Sequence, residues 1–246
     1  MIFIIKAKES REKMNKSRIF TIIITVIVCC MIFLPGCRLN NNSKSDNVDS
    51  YMNSKEELYD TSKISEAYLS GDNSRLSETD RKILEKASEI LDKIIGKEMS
   101  DYDKELAVHD YLVKYTTYDK KALSVLGSPN ENSDNPYGAL INGEAICSGY
   151  TTSFQMFMDM LKIPCKTIYA KDEDGDEHIW NMVRLDGDWY YVDVTWDDPV
   201  PDEEGREVSH EYFNVTEEFM RENGYCWDSN GLPEANSTKY SYKAKN

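Results

Sequence analysis

Cys147, His178 and Asp193 are residues whose types could together carry out nucleophilic chemistry. In such a set a cysteine thiolate attacks a carbonyl carbon, a histidine removes and returns the proton, and a carboxylate orients and charge-stabilises the histidine. Tyr150, Phe154, Phe157 and Leu161 follow Cys147 at intervals of four, three and four, which predicts a buried helix running to about Lys162 and stopping before Pro164. Cys147 therefore falls in or just before the first turn. There it meets unpaired backbone N–H groups and the positive end of the helix dipole, which favour the thiolate. A small buried hydrophobe is the plainer role for a cysteine, and helix position by itself does not separate the two.

The other two residues are related by a hairpin. Asp186-Gly187 is the strongest short turn signal in the chain, and it sets Leu185 opposite Asp188. In the same register Trp180 faces Asp193 and His178 faces Thr195. Opposed and alternate residues share a sheet face, so His178 and Asp193 are diagonal neighbours whose Cβ atoms lie ~7–8 Å apart, within reach of an imidazole–carboxylate hydrogen bond. One extra turn residue would flip the parity and separate them.

The elements that must hold this set read as helices followed by a small antiparallel meander, an α+β pattern. Ser77 with Asp80 and Ser100 with Asp103 are spaced as N-cap and N3 partner. Ile83, Ala87, Ile90 and Ile94 line one face of the first helix, and Leu106, Val108, His109, Leu112 and Val113 lie on the second. Gly127 to Pro136 has loop composition, and strands are predicted at about 165–170, 178–185 and 188–196.

GEAICSGY, EHIWNMV and WYYVDVTWDDP resemble the three catalytic blocks of the transglutaminase-like superfamily, in that family's Cys, His, Asp order. HDYLVKYTTYD, from His109 to Asp119, is similar to a segment upstream of the cysteine in bacterial members, and EYFNV after the third block also fits. The likeness spans roughly residues 80 to 240, and three blocks in joint spacing are far more specific than a lone motif. It implies a papain-like fold with Cys147 as nucleophile, His178 as base and Asp193 as its orienter, and a protein or peptide amide as substrate. It leaves open crosslinking, deamidation and peptide cleavage, and also a module that binds a peptide or a cell-wall component without turnover.

Other residues carry less. Trp180, beside the histidine, could wall a substrate site or simply pack the sheet. His109 reads as a packing or surface histidine. Asp172, Asp174 and Asp176 around Gly175 lack the ligand set of a calcium loop and read as a turn. Cys147, His178 and Asp193 lack a fourth zinc ligand, so no metal and no cofactor is expected. Asp197-Asp198-Pro199 reads as the end of the third strand.

The N-terminus directs the domain out of the cytoplasm. Ile19 to Leu34 is an uncharged, largely apolar run of 16 residues behind Lys13, Lys16 and Arg18. A spanning helix usually needs ~20, so residues 1–36 read as a signal peptide. Leu34-Pro35-Gly36-Cys37 resembles a bacterial lipoprotein box, which implies acylation of Cys37; Met14 opens a self-contained signal of its own, so Met1 and Met14 are alternative starts. Residues 38 to about 60, rich in Asn, Ser, Asp and Lys, read as a flexible tether; the tether is drawn from 37 to 76 and the folded domain from 77 to 246. Beyond the signal, 23 basic residues stand against 42 acidic ones, a net charge of −19 that disfavours nucleic acid and anionic lipid and favours neutral or basic partners. Cys147, Cys165 and Cys226 remain, an odd number that allows one Cys165–Cys226 bridge or leaves those two as unpaired buried thiols.

Overall fold

A computed structural model describes residues 58–123, 128–171, 177–198 and 207–245. The signal segment, the Leu34–Cys37 box and Asp172, Asp174 and Asp176 lie outside these residues. By contacts the chain divides into residues 57–170 with 177–246, described below, and a second unit of residues 1–56 with 171–176 that lies almost wholly outside the described residues. No helix among the described residues is long and apolar enough to cross a membrane.

Folding starts earlier than Ser77. Helix α1, Ser62–Ser70, buries Ile64, Ser65 and Ala67 and packs on the two helices labelled α2 and α4 below. Residues 62–70, expected to lie in the tether, are therefore part of the folded unit. Three buried positions in a nine-residue helix leave too faint a periodicity to stand out from the polar stretch before it. Helix α2, Glu78–Ile94, and helix α3, Asp101–Tyr115, begin at Ser77 and Ser100, and both capping boxes are closed in both directions. Ile83, Ala87 and Ile90 of α2, with Val108, His109, Leu112 and Val113 of α3, are buried as the spacing predicts, whereas Ile94 and Leu106 are only half-buried and Leu91 is buried beside them.

The chain leaving α3 is stitched beside the chain entering the next long helix. Strand β1, Thr117–Tyr118, pairs in parallel with β2, Glu144–Ala145, matching Tyr118 to Ala145. Helix α4, Cys147–Met160, follows at once and is buried almost all round, from Tyr150 through Phe154, Met156, Phe157 and Met158 to Met160. Lys162 then takes a left-handed φ of 59° and the chain reverses ahead of Pro164.

A three-stranded sheet in the order β3-β4-β5 lies against α4: β3 is Cys165–Lys171, β4 Glu177–Leu185 and β5 Asp188–Val192. Strands β4 and β5 are antiparallel and pair Leu185 with Asp188, Val183 with Tyr190 and Asn181 with Val192, the register that the Asp-Gly turn sets. Asp186 at φ 49° and Gly187 at φ 97° are both left-handed, the requirement of a two-residue turn that follows the strands' twist. Thr151 Oγ1 donates to Ile179 O at 3.0 Å, and Asn181 Nδ2 donates to Thr151 O at 3.3 Å, fastening α4 to one face of β4. Trp180, Met182 and Tyr191 pack into an apolar cluster with Tyr212, Met220 and Tyr225 on the other. Helix α6, Glu217–Glu222, supplies Met220, and a short helix α7, Tyr242–Lys245, ends the described chain.

One element differs from its expected form. Strand β5 stops at Val192, and Val194–Asp197 makes a single helical turn, α5. Asp193 is its N-cap: the Trp196 N–H donates to Asp193 Oδ1 at 3.1 Å. A short carboxylate side chain that captures a nearby amide ends a strand whatever the β propensity of the Val, Thr and Trp beyond it. Asp197 therefore sits in a helical turn, not at a strand end.

Candidate active site

Each of the three residues reaches the site by a separate device. Cys147 is the first residue of α4, and its N-cap, Ile146, brings no side-chain acceptor, so the first-turn amides are left for whatever occupies the helix start. The turn is held close to the 130s segment: Ile146 N–H donates to Ser133 O at 2.8 Å, and a Cβ on Gly149 would stand 2.4 Å from that same oxygen. That second glycine of GEAICSGY is therefore obligatory on steric grounds. His178 is near the start of β4, and Asp193 leaves the end of β5 to open α5.

His178 Nε2–H donates to Asp193 Oδ2 at 2.6 Å, the diagonal pairing that the hairpin register requires. The imidazole is also in hydrogen-bonding reach of Cys147. With Nε2 committed to the carboxylate, Nδ1 is the nitrogen left for the thiol. Burial opposes charging His178, but the Asp193 carboxylate, and then Cys147, outweigh it and raise its pKa to about 10. The histidine side chain is 13% exposed and Asp193 1%, so the pair works at the edge of solvent with its acid shielded.

Three residues beside this set carry no sequence signal that singles them out. Tyr225 O–H donates to the same Asp193 Oδ2 at 2.8 Å, from 32 positions downstream. Burial first, and then the Asp193 charge, push its phenol well above the ordinary range, so it remains a donor. Tyr118 is brought next to the catalytic turn by its pairing with Ala145; burial and the nearby Cys147 raise it as well. It lies within the His109–Asp119 block, and only the parallel pairing explains why that block accompanies the cysteine. Trp196 stands edge-on to His178 with ring centroids 6.2 Å apart, and His178 also meets Tyr225 at 5.8 Å.

Trp180 stacks on His178, with centroids 5.7 Å apart, and is 1% exposed. It backs the imidazole instead of lining an open surface; partly exposed Trp196 is the neighbouring aromatic with surface to offer. His109 is not part of the set. It is fully buried, and its Nε2–H donates to Asp197 Oδ2 at 3.0 Å. Cys165 is free, so no Cys165–Cys226 bridge forms. Burial pushes the Cys165 thiol well up, which makes it a poor rival to Cys147 as nucleophile.

Residues 88–194 match the family described as Transglut_core, the transglutaminase-like superfamily. The matched segment contains all three residues. A mouse protein, "Kyphoscoliosis peptidase" from Mus musculus, is 24% identical over 120 residues, which are 44% of this chain and 18% of that protein, so the chain spans under a fifth of this relative's length. Among solved structures, one described as "Crystal structure of a TGase" is 20% identical, covering 58% of this chain and 39% of the other at a TM-score of 0.40. A putative cysteine protease from Cytophaga hutchinsonii is 20% identical, covering 50% of this chain and 39% of the other at a TM-score of 0.36.

Proposed function

We propose that the protein is a thiol-dependent acyl-transfer enzyme acting on protein or peptide amides, with Cys147 as nucleophile, His178 as acid and base, and Asp193 as orienter. The observation that carries this reading is the 2.6 Å His178–Asp193 hydrogen bond beside a cysteine at a helix start. In this mechanism the Cys147 thiolate attacks the amide carbonyl, and protonated His178 gives its proton to the departing ammonia or amine. A thioester remains on Sγ. His178 then takes a proton from an incoming water or amine, which attacks the thioester and restores the thiolate. Water as acceptor gives deamidation or peptide cleavage; an amine gives a crosslink. The strong net negative charge favours neutral or basic substrates.

Mass analysis of the protein after incubation with glutamine-containing peptides tests the proposal. A thioester adduct on Cys147 is expected, with the released product telling water from amine as acceptor. Binding of such peptides with no adduct, and no product over long incubation, points instead to a non-catalytic binding module. We further propose that the domain is held on the outer face of the cell membrane through acylated Cys37. Cys37→Ser is expected to abolish labelling by fatty-acid probes, and unchanged labelling refutes the anchor.

A further inference from the structure

A second group of chemically able side chains meets the end of α5, where Asp197 contacts His109. His109 Nδ1 is 3.1 Å from Asp110 Oδ1, and His210 Nε2 is 2.7 Å from the same oxygen. The three atoms lie within 4.8 Å of one another. We propose that His109, Asp110 and His210 bind one divalent transition-metal ion of the zinc type.

The surroundings of His109 support this. Its Nε2–H donates to Asp197 Oδ2, which leaves Nδ1 as the nitrogen that faces the Asp110 carboxylate oxygen. In the ion-free protein a proton on Nδ1 bridges that contact, and a bound cation would displace it. A carboxylate that fixes the outer nitrogen of a ligating histidine is also the usual support behind a zinc site. Asp197 is itself fixed, accepting from Ser209 Oγ at 2.9 Å and from Tyr212 N–H at 3.0 Å. The two imidazoles are braced as well: His210 stacks on Tyr242 at 3.8 Å, and His109 packs edge-on to Phe213 at 4.8 Å.

Zinc bonds of about 2.0–2.1 Å in a tetrahedron set ligand atoms about 3.3 Å apart, so the two imidazole nitrogens must close from a separation of up to 4.8 Å, a movement shared between the His109 and His210 side chains. The set contains nitrogen and oxygen without thiolate, which suits zinc and its transition-metal neighbours better than copper(I). Asp110 is 40% exposed and gives an ion its entry, and water completes the coordination. The Asp197 N–H donates to Asp193 O at 3.2 Å, so an ion bound here pins from one end the turn that Asp193 opens at the other.

Zinc titration of the full-length, chelator-stripped Cys147→Ser protein tests the site, since that substitution removes the thiol that would compete for zinc. Calorimetry is expected to show one ion per chain. His210→Ala and Asp110→Asn should each weaken it at least about tenfold, and Asp197→Asn, which replaces no ligand but alters the partner of the outer His109 nitrogen, by about 10–100-fold. Circular dichroism identifies the folded variants, and nearly isosteric Asp110→Asn keeps the test open if His210→Ala does not fold. Absence of stoichiometric binding, or binding that both ligand substitutions leave unchanged, overturns the proposal and leaves the cluster holding protons only.

Discussion

Asp193 accepts hydrogen bonds from His178, from Tyr225 and from the Trp196 backbone, and each fixes a different property of the site. The Trp196 bond anchors the carboxylate to the turn, and asparagine can make it equally well. Asp193→Asn is therefore expected to stay folded, while turnover falls by about 10⁴, since the imidazole loses the charge that holds its tautomer. The Tyr225 bond drains charge from the oxygen that faces the histidine. Removing it in Tyr225→Phe makes that oxygen a stronger acceptor, so the His178 titration, followed by NMR of labelled histidine, should move to higher pH; in Asp193→Asn it should move to lower pH. An unmoved titration in Tyr225→Phe would reduce Tyr225 to a packing residue. His178 is raised in the fold from 6.5 to about 10, so its contribution to stability is complete below pH 6.5 and is lost as pH rises through about 10. In a Cys147→Ala background, the excess unfolding free energy of the protein with Asp193 over Asp193→Asn is expected to be large at pH 6 and small at pH 10.5, as urea titrations would measure.

At the scale of elements, the catalytic turn and the hairpin differ in what they tolerate. Gly149→Ala would drive a Cβ to 2.4 Å from a backbone oxygen that already accepts the Ile146 N–H, so the 130s segment must move. A loss of about 2 kcal/mol or more and slower alkylation of Cys147 are expected, checked by denaturant unfolding and iodoacetamide kinetics. The hairpin was legible in the sequence because two residues with φ above zero and a period of two leave only one register. The helix before residue 77 was not, nor was the end of β5. Asp193, Thr195 and Trp196 read as strand because propensity is local, whereas the carboxylate's capture of an amide is a choice between two local structures that packing settles. The His109–Asp197 contact joins residues 88 positions apart, and Tyr225 reaches Asp193 across 32. No periodicity links such pairs, since each depends on how whole elements are placed.

Over the whole molecule the domain begins with α1, whose Ile64 is fully buried. A protein lacking residues 1–57 should unfold at the same urea concentration in both activity-independent readouts, fluorescence and circular dichroism. One lacking residues 1–76 should lose about 2–5 kcal/mol or more, as for emptying a core site. Equal midpoints for the two would place α1 outside the cooperative unit. At the other end, the superfamily segment closes at Val194, yet the donor on Asp193 Oδ2 and the main-chain acceptor for Asp193 N–H come from Tyr225 and Tyr212 beyond it. Transplanting 88–194 into another scaffold would carry over all three reactive side chains and leave behind the parts that hold the acid in its working state. Under the proposed mechanism, the segment after 194 is a tuning cassette: exchanging it between related chains is expected to shift the His178 titration while Cys147, His178 and Asp193 stay unaltered.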